Sequence, residues 1–176
     1  MRVLNVGGCN KHIDIPSHFD GWDHLLLDIE PNIEVDVVCD ARSMQSLPAG
    51  EYDAVYNSHN LEHFHRHDVA TVLNGFKHVV KDDGFIQIIV PNMQAVFKYL
   101  AEPGTDIEDV LYMSDAGPIR AVDMIYGMEL FIANSKNDFM CHKNGFTPKS
   151  LAKTLFDNGF KYVFVGSGDF NLIAFA

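Results

Sequence analysis

Val3-Leu4-Asn5-Val6-Gly7-Gly8-Cys9-Asn10, followed by His24-Leu25-Leu26-Leu27-Asp28-Ile29, is the stretch that decides the fold. A short apolar run breaks on two glycines, and a second apolar run ends on an acid. Continuous apolar runs of this length suit strands covered on both faces. Working outward, the pattern returns at residues 35–39 (VDVVC), ending at Asp40, at 52–57 (YDAVYN), and at 85–90 (FIQIIV), closed by Pro91-Asn92. Between the last two, Val69, Val72, Leu73, Phe76, Val79 and Val80 recur at helical spacing, and Asp82-Asp83-Gly84 ends that helix. Thr147-Pro148 reads as an N-cap with proline in the first helical position; Leu151, Leu155 and Phe156 line one face and Gly159 stops the helix. Strands at 162–165 and 171–175 follow, close enough in sequence to be antiparallel neighbours. This alternation predicts one doubly wound α/β domain over residues 1–176. Residues 103–144 find no regular place in it and are too long for a plain connection, so they read as an inserted functional segment.

Composition narrows the class. A chain of 176 residues holds one domain with a full core, and 47% apolar with 21% charged residues excludes disorder and collagen-like structure. No apolar run is long enough to span a bilayer, and the start turns glycine-rich after one basic residue, unlike a signal peptide. The cytoplasm is the expected compartment. With 13 Lys and Arg against 24 Asp and Glu, the net charge is −11, so nucleic acid is not expected as a partner. Cys9, Cys39 and Cys141 lie far apart without C-x-x-C spacing and read as reduced thiols.

In an open parallel sheet, ligands sit beyond the carboxyl ends of the strands, where strand order reverses. Turn residues and acids gather there: Gly7-Gly8 after the first strand, Asp28 on the second, Asp40 on the third, Asn57-Ser58-His59 on the fourth. Asp28 follows the glycines by about 20 residues, the spacing at which a carboxylate meets a ribose diol. A pyrophosphate loop needs G-x-G-x-x-G, but Cys9 and His12 stand at the later glycine positions. A Gly-Gly turn of this kind suits an adenosine ligand without phosphate, whose adenine amino group could donate to Asp40.

The segments VLNVGGCN (3–10), LLLDIEP (25–31), VDVVCDARSMQSLP (35–48), YDAVYNSHNLEHF (52–64), FKHVVKDDGFIQIIVPN (76–92) and GFTPKSLAKTLFDNGF (145–160) together resemble the class I S-adenosylmethionine-dependent methyltransferases. The resemblance implies a seven-stranded, mostly parallel sheet of order 3-2-1-4-5-7-6 and S-adenosyl-L-methionine as cofactor. It implies that Asn5 and the Gly7, Gly8, Cys9, Asn10 turn hold the amino-acid end of the cofactor. Asp28 would take the ribose hydroxyls, with Ile29 also at the cofactor, Asp40 and Ala41 would flank the adenine, and Asn57, Ser58 and His59 would line the far side. The chain departs from the family pattern where Asn5 replaces the common acid and Gly-Cys-Asn replaces the glycine alternation. It also starts at the first strand, without the family's common N-terminal lid helix.

His59-Asn60-Leu61-Glu62-His63 reads H-x-x-E-H, an inverted zinc-protease string, with His65 and His67 close behind. Such leucine-glutamate-histidine strings follow the fourth strand in the methyltransferase family, so no metal is expected; His63, His65 and His67 read as structural or exposed, and His59 as substrate-facing. Residues 103–144 are the spare polypeptide for a cap, bringing Tyr126 and His142 toward the methyl group. As an alternative, their apolar residues, among them Met124, Leu130 and Phe131, form a homodimer contact. The expected activity is methyl transfer to an O, N or C atom of a small-molecule acceptor. The alternatives are a non-catalytic cofactor-binding protein and a metal-dependent hydrolase using His59, Glu62 and His63.

Overall fold

The computed structural model describes residues 1–32, 34–114, 116–135 and 137–176. Strand β1 (Arg2–Val6) runs parallel to β2 (Asp23–Asp28), which carries the two-residue edge strand β3 (Val37–Val38) on its outer side. On its other side β1 pairs, again in parallel, with β4 (Tyr52–Ser58). Helix α1 (Val69–Val79) leads into β5 (Val80–Pro91), parallel to β4, and α2 (Met93–Leu100) follows. A hairpin of β6 (Val110–Ser114) and β7 (Gly117–Arg120) leads to two short helices, α3 (Ala121–Tyr126) and α4 (Glu129–Asn134). Helix α5 (Pro148–Asp157) and strands β8 (Phe164–Ser167) and β9 (Asn171–Phe175) close the chain.

The main sheet has the order β3-β2-β1-β4-β5-β9-β8, with β9 antiparallel to both neighbours. Counting only its seven strands, this is the expected 3-2-1-4-5-7-6. Strand order reverses between β1 and β4, so a crevice opens beyond their carboxyl ends.

Alternation along the strands builds two cores. Leu4, Val6, Val55, Ile86 and Ile88 face α1, whose Val69, Val72, Leu73, Phe76 and Val79 are all buried at helical spacing. Val3, Ala54 and Tyr56 face the other way onto Phe19, with Trp22 and Phe85 beside it. Phe19 stacks on Phe85 with ring centroids 6.0 Å apart. A satellite cluster of Met93, Val96, Ile119, Ala121 and Met124 fastens the hairpin and α3 onto α2.

Four sequence expectations shift. The helix ends at Val79 and the strand begins at once, because Lys81 pairs with Asp53 at 2.7 Å and residues 81–84 are taken into an irregular stretch of the β4–β5 ladder. Strand β3 shrinks to two residues because the Asp36 carboxylate accepts the Leu26 amide at 2.7 Å. Strand β8 starts at Phe164, two residues late. Residues 103–144 are more regular than expected, holding the β6–β7 hairpin, α3 and α4. At α5 the expected cap is present: Thr147 accepts from Ser150 N and Pro148 opens the helix.

Candidate functional site

The turn after β1 is shaped by bare backbone. Gly7 has φ +76°, a region that L side chains rarely adopt, and its N–H donates to Leu27 O at 2.8 Å. A Cβ on Gly7 would overlap the Asn60 carboxamide, and one on Gly8 would lie 2.7 Å from Asn5 Cγ. Two asparagines therefore fill the space that the glycines leave. Asn57, fully buried, donates from Nδ2 to Val6 O (3.0 Å) and Asn60 Oδ1 (2.8 Å), while its own Oδ1 has no partner. Asn5 is also buried, its Nδ2 3.3 Å from His24 Nε2. Cys9 is exposed at φ +63°, and Asn10 Oδ1 accepts from His12 N and Ile13 N to finish the turn. Asn32 and Glu34 pin it from the β2–β3 side, bonding Cys9 O and Lys11 N.

Beyond this turn lies a cleft of about 180 Å³. Gly7, Asp28, Ile29, Asp40 and Ala41, five of the residues expected at the cofactor, line it. Asn5 and Asn57 sit beneath its floor as supports, and Gly8, Cys9, Asn10 and the half-buried Ser58 lie outside the lining. Asp28 Oδ1 accepts the Glu30 amide at 2.9 Å; among the described residues, Oδ2 has no donor. Asp40 differs from its expected role. It caps a 3-10 turn (Ala41–Ser46) through the Arg42 amide, and the Arg42 guanidinium bonds both of its oxygens, the shortest contact being 2.6 Å. Those Arg42 bonds outweigh burial and hold the Asp40 carboxyl below the usual carboxylate range. The lining also includes Arg42, Asn60 and Asp68, which the sequence reading did not assign, His63, which it read as structural or exposed, and Asp138 and Lys143 from the expected cap segment. For Arg42 the sequence offered only its nearness to Asp40, and Lys143 lay in the segment expected as a cap without being singled out.

Behind the cleft, His59, Glu62, His63 and His142 converge. His59 is the second non-glycine with positive φ (+48°), which turns its ring back so that Nδ1 lies 3.4 Å from Glu62 Oε1. Glu62 is 1% exposed, and neither carboxylate oxygen has a hydrogen-bond partner. Burial pushes its carboxyl up, but the facing imidazoles, His59 foremost, hold it below the ordinary range. His142 Nε2 lies 4.0 Å from the same oxygen, and burial lowers this imidazole's pKa, favouring the neutral form. His63 and His142 meet edge to face at 4.9 Å, whereas His65 and His67 are exposed and stack on each other.

Residues 103–144 reach the cleft at only a few points. Asp138, Phe139 and Lys143 line it, Asn137 bonds Glu30 at 3.0 Å, and the amides of Lys143 and Asn144 both donate to Glu62 O. Tyr126 does not: its ring is 60% exposed and forms no part of the lining. His142 is held behind the lining by its Nδ1 bond to Met124 O at 2.9 Å.

The architecture is the Rossmann-like fold that class I S-adenosylmethionine-dependent methyltransferases share. Residues 17–88 match the family model described as a methyltransferase domain. A SAM-dependent methyltransferase from Archaeoglobus fulgidus is similar over 99% of this chain and 85% of its own, with a TM-score of 0.60 and 16% identity. The 1,6-didemethyltoxoflavin-N1-methyltransferase of Burkholderia thailandensis, solved with bound 1,6-didemethyltoxoflavin and S-adenosylhomocysteine, has a TM-score of 0.58 and 17% identity, over 99% and 69% of the two chains. DhpI, solved in complex with SAH, has a TM-score of 0.55 at 14% identity over 99% and 74%. Among curated proteins nothing matches the chain.

Proposed function

We propose that this protein is an S-adenosyl-L-methionine-dependent methyltransferase acting on a small-molecule acceptor. The observation that carries the reading is the cleft at the β1–β4 switch point, floored by a turn with no room for a Cβ at Gly7 and edged by Asp28. Gly7 lines that cleft, and the carboxylates of Asp28, Asp40, Asp68 and Asp138 outnumber the cations of Arg42 and Lys143 around it. That balance suits a sulfonium better than a phosphate.

Asp28 Oδ2 receives the ribose hydroxyls while Oδ1 stays with Glu30. Ile29 and Ala41 hold the adenine between them, with Arg42 turning off Asp40 where the amino group needs an acceptor. The Gly7–Asn10 turn holds the amino-acid end, and Asn5 and Asn57 keep that turn in shape. When bound, the cofactor supplies an electrophilic methyl group. The chain's part is to align the acceptor and exclude water, and proximity of this kind provides most of what methyl transfer needs. Residues 103–144 form the cover, through Asp138, Phe139 and Lys143. The exposed Leu130 and Phe131 on α4 offer a second use for this segment, a homodimer contact, which sedimentation of a Leu130→Glu variant addresses.

Titration calorimetry with S-adenosylmethionine and S-adenosylhomocysteine tests the reading, followed by product detection by mass spectrometry across phenol, amine and enol acceptors. One molecule bound per chain with methylated product supports it. Binding without turnover on any acceptor favours a non-catalytic binder, and no binding refutes it.

A further inference from the structure

Glu62 presents a chemical problem that the methyl-transfer reading leaves unsolved. A carboxylate 1% exposed, with no well-formed hydrogen bond among the described residues and only the His59 imidazole against Oε1 at 3.4 Å, is a costly arrangement unless a cation sits against it. Its neighbours are set up to share one. His63 Nδ1 lies 3.2 Å from Cys141 O and His142 Nδ1 lies 2.9 Å from Met124 O. Carbonyl oxygens only accept, so each imidazole donates from Nδ1, and when neutral each keeps a bare lone pair on Nε2. Anchoring one ring nitrogen on a carbonyl is how proteins orient histidines that bind metal through the other. One ligand atom from each of Glu62, His63 and His142 falls within 4.8 Å of the others. Around a tetrahedral ion at about 2.0–2.2 Å from each ligand, such atoms sit somewhat closer, a contraction within reach of side-chain rotation.

We propose that Glu62, His63 and His142 bind one divalent first-row cation of the zinc or cobalt type, whose open coordination positions take a hydroxyl of the methyl acceptor. Two imidazole nitrogens with one carboxylate suit such ions, whereas magnesium and calcium prefer oxygen. Three protein ligands leave room for an exogenous one, and His63 also lines the cleft, so the site opens toward the cofactor. The acceptor class is therefore an alcohol, phenol or enol. Coordination makes the hydroxyl more acidic. Its proton leaves to solvent. The oxygen lone pair then forms the new O–C bond as the C–S bond breaks, giving a methyl ether and S-adenosylhomocysteine. The acceptor role rests on the methyltransferase reading; the metal site does not.

The test uses the full chain, stripped with chelator and dialysed, then titrated with Zn²⁺ and Co²⁺ by calorimetry, with Co²⁺ also followed by its visible d–d absorption. The expected result is one ion per chain, with affinity reduced at least about 100-fold in Glu62→Gln and in His142→Ala. His59→Ala keeps the ion within a few-fold. Circular dichroism and S-adenosylhomocysteine titration of the same metal-free samples report whether the variants are folded. No stoichiometric ion in the parent, or parent-like affinity in folded Glu62→Gln and His142→Ala, overturns the site. Nucleoside binding without metal binding removes the metal proposal alone, and metal binding without nucleoside binding removes the methyltransferase reading alone.

Discussion

Asp28→Ala separates a ligand contact from a structural one, because the two oxygens of this carboxylate do different jobs. Oδ1 accepts the Glu30 amide at 2.9 Å, a partly solvated bond whose loss costs about 0.5–1.5 kcal/mol of stability. Oδ2 and the second lone pair of Oδ1 remain for a ribose diol. Two charge-assisted hydrogen bonds at about 1.5–3 kcal/mol each put the loss of binding at about 3–6 kcal/mol. Water entering the vacated space returns part of it. At about 1.4 kcal/mol per tenfold, affinity should fall by about tenfold if water replaces one bond well, and by more than about 100-fold if it replaces neither. Asp28→Asn keeps an acceptor for Glu30 N but loses the charge, so it should fall between parent and Ala. The assay is calorimetric titration with S-adenosylhomocysteine beside thermal melts of all three proteins. Parent affinity in Asp28→Ala would show that the residue only caps its turn. An affinity loss that merely tracks loss of folded protein would refute the division of labour between the oxygens.

Gly7→Ala should be damaging, since φ +76° alone costs about 1–2 kcal/mol for an L side chain and the new Cβ displaces Asn60; melting temperature and nucleoside affinity should fall together. Phe76→Ala, at the centre of the α1 face, should cost about 3–5 kcal/mol in urea unfolding, with cleft chemistry unchanged in whatever fraction stays folded. Burial pushes Asp123 up, but the Arg120 hydrogen bonds more than offset it and hold the carboxyl below its ordinary range. A depressed folded value means stability that is present above the unfolded pKa, near about 3.9, and lost as pH falls through the folded one. Asp123→Asn should flatten that acid limb in urea midpoints taken from pH 6 downward. Tyr126→Phe should leave S-adenosylhomocysteine affinity at the parent value, because the ring is exposed and outside the cleft lining.

The sheet was legible because its strands are buried on both faces, and burial writes itself into sequence as nearly continuous apolar runs such as 85–90, broken only by Gln87. Strand ends were less legible. Asp36 looks like any polar break, and only the fold shows that its carboxylate takes the place of a ladder bond with Leu26. The cleft's acids were readable by position, since Asp28 and Asp40 end strands, but the Arg42 clasp on Asp40 depends on a rotamer that no pattern encodes. Glu62 was visible only as part of a string. Its burial arises because residues 141–144, about eighty positions later, fold back over it. Long-range packing of that kind leaves no periodic signature. The same limit misplaced Tyr126: an aromatic in an unassigned segment signals packing or function equally well.

The way residues 121–146 are fastened sets where the molecule will open. At one end α3 buries Ala121, Asp123 and Met124, and at the other Phe146 is buried and its carbonyl accepts from Met93 N. Between them α4 buries no residue at all. Local unfolding starts where little apolar surface must be exposed. This one short helix can therefore melt while the strap over Glu62 stays bonded, so the acidic pocket stays closed as the segment before it opens. Amide exchange should report this as fast turnover across residues 129–134 flanked by slow amides at Lys143 and Asn144. On that pattern α4 and the strap over Glu62 open as separate cooperative units.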